Sequence, residues 1–122
     1  MVSRKILLVE DNAVNRRLAG FLLRSQGYQV SEATSAQEAF EMLKIDSPNL
    51  IVMDIQLPGM DGLEITKTLK QDPATANIPV IAVTSYAMKG DREKALAAGC
   101  SGYVTKPIDK TIFLAEISQH LK

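Results

Sequence analysis

The run Asn49–Leu50–Ile51–Val52–Met53–Asp54 carries four apolar residues in a row and then stops in a carboxylate. No polar residue alternates through it, which is the pattern of a strand buried on both faces of a parallel sheet. The residues that follow, Ile55–Gln56–Leu57–Pro58–Gly59–Met60–Asp61–Gly62, are rich in turn formers. A charged side chain is thereby placed at the C-terminal edge of a sheet, where open α/β folds bind their ligands.

Outward from this stretch, strands and helices alternate. Lys5–Ile6–Leu7–Leu8–Val9 reads as a buried strand running into Glu10–Asp11–Asn12. A first helix is predicted from near Asn12 to Gln26, packing through Val14, Leu18, Phe21 and Leu22, with Gly27 ending it. Tyr28–Ala33 alternates polar and apolar residues, as a strand near a sheet edge does. Ser35 and Glu38 have capping-box spacing and open a second helix whose inner face is Ala36, Ala39, Phe40 and Leu43. After Gly62, the residues Leu63, Ile65, Thr66 and Leu69 predict a third helix ending before Asp72–Pro73. Gly62 itself supplies a positive φ or leaves room, and Asp61 reads as a turn residue. Ile78–Val83 predicts a buried strand ending in Thr84–Ser85. A weaker helix from about Met88 to Ala98, interrupted by Gly90, is closed by Gly99. Cys100–Thr105 predicts the last strand, and Thr111–Leu121 an amphipathic helix through Ile112, Phe113, Ile117 and Leu121. Five such repeats with short connections imply a mostly parallel sheet with helices on both faces.

At 122 residues the chain is expected to be one domain, 1–122. Fourteen basic residues balance fourteen acidic ones, so no global field favours nucleic acid or a membrane surface. The one cysteine, Cys100, reads as a small buried filler, and the one histidine, His120, as a surface residue of the last helix. With one of each, a zinc cluster is excluded. Met1–Lys5 does not resemble a signal peptide and no segment has membrane-spanning length, so a cytoplasmic location is expected.

The strand ends carry the chemistry. Glu10 and Asp11 follow the first strand, Asp54 ends the third, Thr84 the fourth, and Lys106 follows the fifth. Two carboxylates about 5 Å apart repel by about 3 kcal/mol at an effective dielectric near 20. A structural role requires no such cost at the edge of an apolar sheet, although Glu10 and Asp11 also suit a helix N-terminus. A divalent cation would offset the repulsion, and oxygen-only donors select a hard ion such as Mg2+, its shell completed by water or a phosphate. With Lys106 also neutralising phosphoryl oxygens, one carboxylate is left to attack phosphorus. The inferred chemistry is phosphoryl transfer.

Four pieces in this order and spacing resemble the CheY-like receiver domains of two-component response regulators, from about Arg4 to Leu121. They are Leu8–Val9–Glu10–Asp11–Asn12, Met53–Asp54 with Ile55–Gly62, Ala82–Val83–Thr84–Ser85, and Tyr103–Val104–Thr105–Lys106–Pro107. The likeness extends, through Ala87–Met88–Lys89–Gly90–Asp91, to single-domain DivK-type regulators and hybrid-kinase receivers. The resemblance implies a doubly wound, flavodoxin-like (βα)5 fold with strand order 2-1-3-4-5. It implies that Asp54 accepts a phosphoryl group from a phosphohistidine on a histidine kinase or histidine phosphotransfer protein. Asp11, Asp54 and the Gln56 backbone carbonyl would ligate Mg2+, with Glu10 acting through a water. Lys106 would pair with the phosphoryl group, Thr84 would move to bond it, and Tyr103 would swing inward behind Thr84. The Lys106–Pro107 bond is expected to be cis. Glu10 stands where many relatives carry aspartate.

On this reading the chain is a signalling module and not a turnover enzyme. Phosphorylation is expected to move the loops after the fourth and fifth strands, bringing Thr84 and Lys106 to the phosphoryl oxygens. The output would be a changed surface on the fourth helix, fifth strand and fifth helix, read by a downstream protein effector. No attached effector domain is expected; a receiver cut from a hybrid kinase is the alternative origin. An aspartyl-nucleophile phosphatase needs a second acid two residues after Asp54, where this chain has Gln56. A flavodoxin-like cofactor binder needs a phosphate-cradling first loop, and Glu10–Asp11–Asn12 would repel phosphate. An unphosphorylated decoy would be expected to lack a site residue, and none is missing.

Overall fold

A computed structural model describes residues 4–57, 62–85 and 90–121. Five strands and five helices alternate: β1 (Lys5–Val9), α1 (Ala13–Ser25), β2 (Gln29–Ala33), α2 (Ala36–Ile45), β3 (Leu50–Asp54), α3 (Gly62–Gln71), β4 (Val80–Thr84), α4 (Asp91–Ala98), β5 (Gly102–Thr105) and α5 (Lys110–Gln119). All strand pairs are parallel, in the order β2-β1-β3-β4-β5. The sheet reverses direction of winding between β1 and β3, which opens a crevice at their C-terminal ends.

β3 lies at the centre and every one of its residues is buried. Successive side chains of a strand point to opposite faces. Ile51 and Met53 therefore join one apolar layer with Ala39 of α2, Ile65 and Leu69 of α3 and Ala95 of α4. Leu50 and Val52 join the other, with Ala19 and Leu23 of α1 and Phe113 and Ile117 of α5. Each large side chain so buried contributes about 1.5–3 kcal/mol. A single charge at Val52 would break one layer where both outer helices lean on it.

Helix ends follow local chemistry. Asn12 Oδ1 accepts from Asn15 N–H at 3.0 Å and caps α1; Gly27, at φ 87°, follows its C-cap. Ser35 Oγ accepts from Glu38 N–H at 3.2 Å, while Glu38 Oε1 accepts from Thr34 N–H at 3.1 Å, so the box closes on the residue before the cap. Gly90 sits at the N-cap of α4 and does not interrupt that helix; the start read at Met88 lies outside the described residues. The turn read over residues 58–61 and the Ala87–Met88–Lys89 part of the family likeness lie outside them as well.

Two apolar faces are borne out only in part: Leu22 of α1 and Phe113, Ile117 and Leu121 at the C-terminal helix pack into the core as read, and the other residues do not. Val14 and Phe21 are 76% and 58% exposed, and Leu18 is exposed too. α1 instead turns Ala19, Gly20 and Leu23 inward, on the opposite side of the helix. Small Ala19 lets the helix approach the sheet closely, which the Val14–Leu18–Phe21 face would prevent. Ile112 of α5 is likewise exposed, and Phe113 anchors that helix. Cys100 is buried, and His120 caps α5 with Nε2 3.6 Å from Glu116 Oε2. Among the described residues no helix is long and apolar enough to cross a membrane.

Candidate functional site

Parallel pairing delivers the C-terminal ends of β1, β3, β4 and β5 to one rim. The connections there are tight: Glu10 N–H donates to Ala33 O at 3.0 Å, Ile55 N–H to Val83 O at 3.0 Å, and Lys106 N–H to Thr84 O at 2.7 Å. The Lys106–Pro107 peptide is cis. Gly62 begins α3 directly beneath Asp54. A Cβ there would lie 2.5 Å from the Asp54 carbonyl oxygen and 2.8 Å from Ile55 Cα, so close backbone approach, not a positive φ, requires glycine.

Glu10, Asp11 and Asp54 each bring a carboxylate oxygen within 4.8 Å of the other two, with Glu10 and Asp54 buried and Asp11 exposed. Lys106 Nζ stands 2.8 Å from Glu10 Oε1 and 3.4 Å from Asp54 Oδ2, with side chains 11%, 5% and 3% exposed. The ammonium thus stands beside the Asp54 carboxylate before any phosphoryl group is present. Asp54 Oδ1 accepts from Gln56 N–H at 3.0 Å, and Glu10 Oε2 from Asn12 N–H at 3.2 Å. Gln56 Oε1 in turn accepts from Ser85 N–H at 3.1 Å, tying the loop after β3 to the end of β4.

Electrostatics follow from this crowding. Burial and the neighbouring Asp54 carboxylate push the Glu10 carboxyl up to about 7, against the opposing pull of Lys106. Burial disfavours the charge on Lys106, but its hydrogen bond to Glu10 and the charges of Asp54 and Glu10 outweigh that and raise its pKa. The donor set is oxygen only, close-packed and short of positive charge, which suits a hard divalent ion. Thr84 is buried at the end of β4, and Tyr103 is half-buried on the edge strand β5 against the α2–α3–α4 layer.

Sequence reasoning missed Arg16. Its Nη1 donates to the carbonyls of Glu10 and Asp11, the loop that bears two of the three acids. It also missed the Gln56–Ser85 tie. Neither has a spacing signal, since Arg16 is one of two adjacent arginines and loop amides pair according to backbone path.

Comparisons with known proteins bear on the family and the fold. The model of the response regulator receiver domain family matches residues 6–118. The polar-differentiation response regulator DivK of Brucella ovis is 42% identical over 120 residues, 98% of each chain. Among solved structures, the receiver domain of the sensor histidine kinase PA1611 from Pseudomonas aeruginosa PAO1 is 32% identical, with a TM-score of 0.89 over 98% of each chain. That receiver was crystallised with a magnesium ion coordinated in its active site cleft. Chemotaxis protein CheY4 of Vibrio cholerae, 23% identical, shares the fold at a TM-score of 0.92 over 98% of this chain and 100% of its own. This chain therefore belongs to the response regulator receiver domains, the signalling modules of two-component systems.

Proposed function

We propose that the chain, acting as one unit over residues 1–122, is a phosphate-accepting switch whose acceptor is Asp54. One observation carries this: Asp54 is buried among like charges, with Oδ1 fixed by the Gln56 amide and Oδ2 facing Lys106. An Asp54 oxygen attacks the phosphorus of a phosphohistidine on a histidine kinase or phosphotransfer protein. The new O–P bond forms as the P–N bond breaks, and the electron pair leaves with the imidazole nitrogen. Lys106 sits where it can follow the transferred oxygens, since it already contacts the acceptor.

Asp11, Asp54 and the Gln56 backbone carbonyl would hold Mg2+, with Glu10 reaching it through a water. Once bound, the ion neutralises charge on the phosphoryl oxygens. Phosphorylation replaces one negative charge by about two. The Thr84 hydroxyl then turns to the phosphoryl group, Tyr103 moves in behind it, and the α4–β5–α5 face changes shape. A nearly complete shift requires up to about 5.5 kcal/mol of differential stabilisation, a scale that charge-assisted hydrogen bonds reach together.

The exposed row Val14–Leu18–Phe21 starts one turn from the acidic rim and gives the histidine-bearing donor an apolar surface to dock on. The output passes to a downstream protein effector in the cytoplasm, by protein contact and not through DNA. The module catalyses no turnover beyond its own phosphorylation and slow dephosphorylation. The likeness to a sensor-kinase receiver at 32% identity favours a second setting, as a receiver within a hybrid kinase.

The test adds Mg2+ with acetyl phosphate or beryllofluoride and follows amide NMR shifts. Wild type is expected to respond and Asp54→Asn to stay silent; equal responses would remove Asp54 from its role. Phe21→Asp is expected to slow transfer from the protein donor while leaving the acetyl phosphate response intact.

A further inference from the structure

Arg16 reaches three groups at once from the first turns of α1. Nη1 donates to Glu10 O at 3.0 Å and to Asp11 O at 3.2 Å, while Nε lies 3.2 Å from Glu32 Oε1. Glu32 belongs to the edge strand β2, and its Oε2 accepts from Arg24 Nη2 at 2.8 Å. Arg24 Nη2 also donates to Val30 O at 3.3 Å. Gly20 makes room for this lattice, because a Cβ there would stand 2.9 Å from Arg24 Nη1 and 3.4 Å from Glu32 Oε2. The chain Arg24–Glu32–Arg16 thus runs from the edge of the sheet to the two carbonyls of the β1–α1 loop.

The three acids of the rim are not held alike. Glu10 and Asp54 are buried and bonded to Lys106 and to backbone amides. Asp11 is exposed, so the backbone of its loop decides where its carboxylate points. A guanidinium fork can hold two carbonyls and a carboxylate in fixed geometry, as an ammonium cannot. We propose that Arg16 is a positioning residue for the divalent cation, pinning the Glu10–Asp11 backbone so that the Asp11 carboxylate faces Asp54. The inference rests on the Mg2+ reading above.

The sign of the effect separates positioning from plain charge. A nearby positive charge repels Mg2+, so removing an arginine that acted only through its field would tighten binding. Removing one that orients a ligand weakens it, typically by about tenfold or more. The experiment titrates MgCl2 into wild type, Arg16→Met, Arg16→Lys and Glu32→Gln by calorimetry, with metal-free urea unfolding alongside. Arg16→Met is expected to weaken Mg2+ binding about tenfold, and Arg16→Lys to remain weakened despite its charge. Glu32→Gln should weaken binding less, and combining it with Arg16→Met should add nothing further. Weakening that merely tracks the loss of metal-free stability, or binding unchanged or tighter in Arg16→Met, would overturn the inference while leaving the metal site standing. A wild type that binds no Mg2+ would overturn both.

Discussion

The same strands end in two rims that use the same pair of chemical groups in opposite ways. At the C-terminal rim Lys106 meets Glu10 at 2.8 Å with both side chains nearly buried. At the N-terminal rim Lys5 meets Asp46 at 3.0 Å with side chains 47% and 60% exposed. The distances barely differ, but the surroundings do. An exposed ion pair is screened by water and contributes about 0–1 kcal/mol. A buried one has been stripped of water, and losing one partner strands a charge at a cost of about 3–5 kcal/mol. The N-terminal rim borders a cavity of about 200 Å³ lined by Lys5, Ile6, Met42, Ile45 and Asp46 among others, and among the described residues it collects no cluster of acids. The proposed function uses the rim where electrostatics works against the fold.

The largest effect expected is at Lys106. Without metal at pH 8, Lys106→Met should cost about 3–5 kcal/mol in urea unfolding, because Glu10 and Asp54 would face each other alone. Added Mg2+ should return part of it. A loss below about 1 kcal/mol would mean that this rim is as well screened as the other.

Next comes pH. The Glu10 carboxyl is raised from 4.5 to about 7 in the folded chain, so the folded state holds its proton more tightly than the unfolded one. Its contribution to stability is present in full below about 4.5 and is lost as pH rises through about 7. Each pKa unit corresponds to about 1.4 kcal/mol, so metal-free wild type should lose about 3 kcal/mol across that window relative to Glu10→Gln. Parallel curves would show that Glu10 is not strained. Metal removal follows in size. Mg2+ at one hundred times its dissociation constant stabilises by about 2.7 kcal/mol, which EDTA should abolish in wild type. Asp54→Asn, which removes one of the proposed ligands, should show little of this gain.

How much of this could be read in the chain depended on what each residue answers to. The β3 run was legible because burial on both faces leaves a continuous apolar signature, and the strand-end acids because their positions follow from strand ends alone. The α1 face was not. Val14, Leu18 and Phe21 satisfy helical periodicity, but the helix is apolar on two sides, and the need for a small residue against the sheet chose Ala19. Arg16 was hidden for a different reason. Arg16 and Arg17 are identical in type, and only the path of the β1–α1 loop places carbonyls within reach of the first. Periodicity reports which residues are apolar, not which of two apolar faces finds the sheet.

The smallest effect tests the comparison from its other side. Lys5→Met keeps most of the apolar stem that lines the N-terminal cavity and removes only the charge. The backbone bonds that hold β1 to the segment before β3 do not involve that side chain: Lys5 N–H donates to Asn49 Oδ1 at 2.8 Å, and Asn49 N–H to Lys5 O at 2.7 Å. Loss of the pair with Asp46 should therefore change stability by less than about 1 kcal/mol. The change should shrink further in about 1 M salt, where exposed charges are screened within about 3 Å. It should also be the same with and without Mg2+. A loss of about 3 kcal/mol, or one that Mg2+ reverses, would show that burial is not what separates the two rims, and the strain at Glu10 would then need another cause.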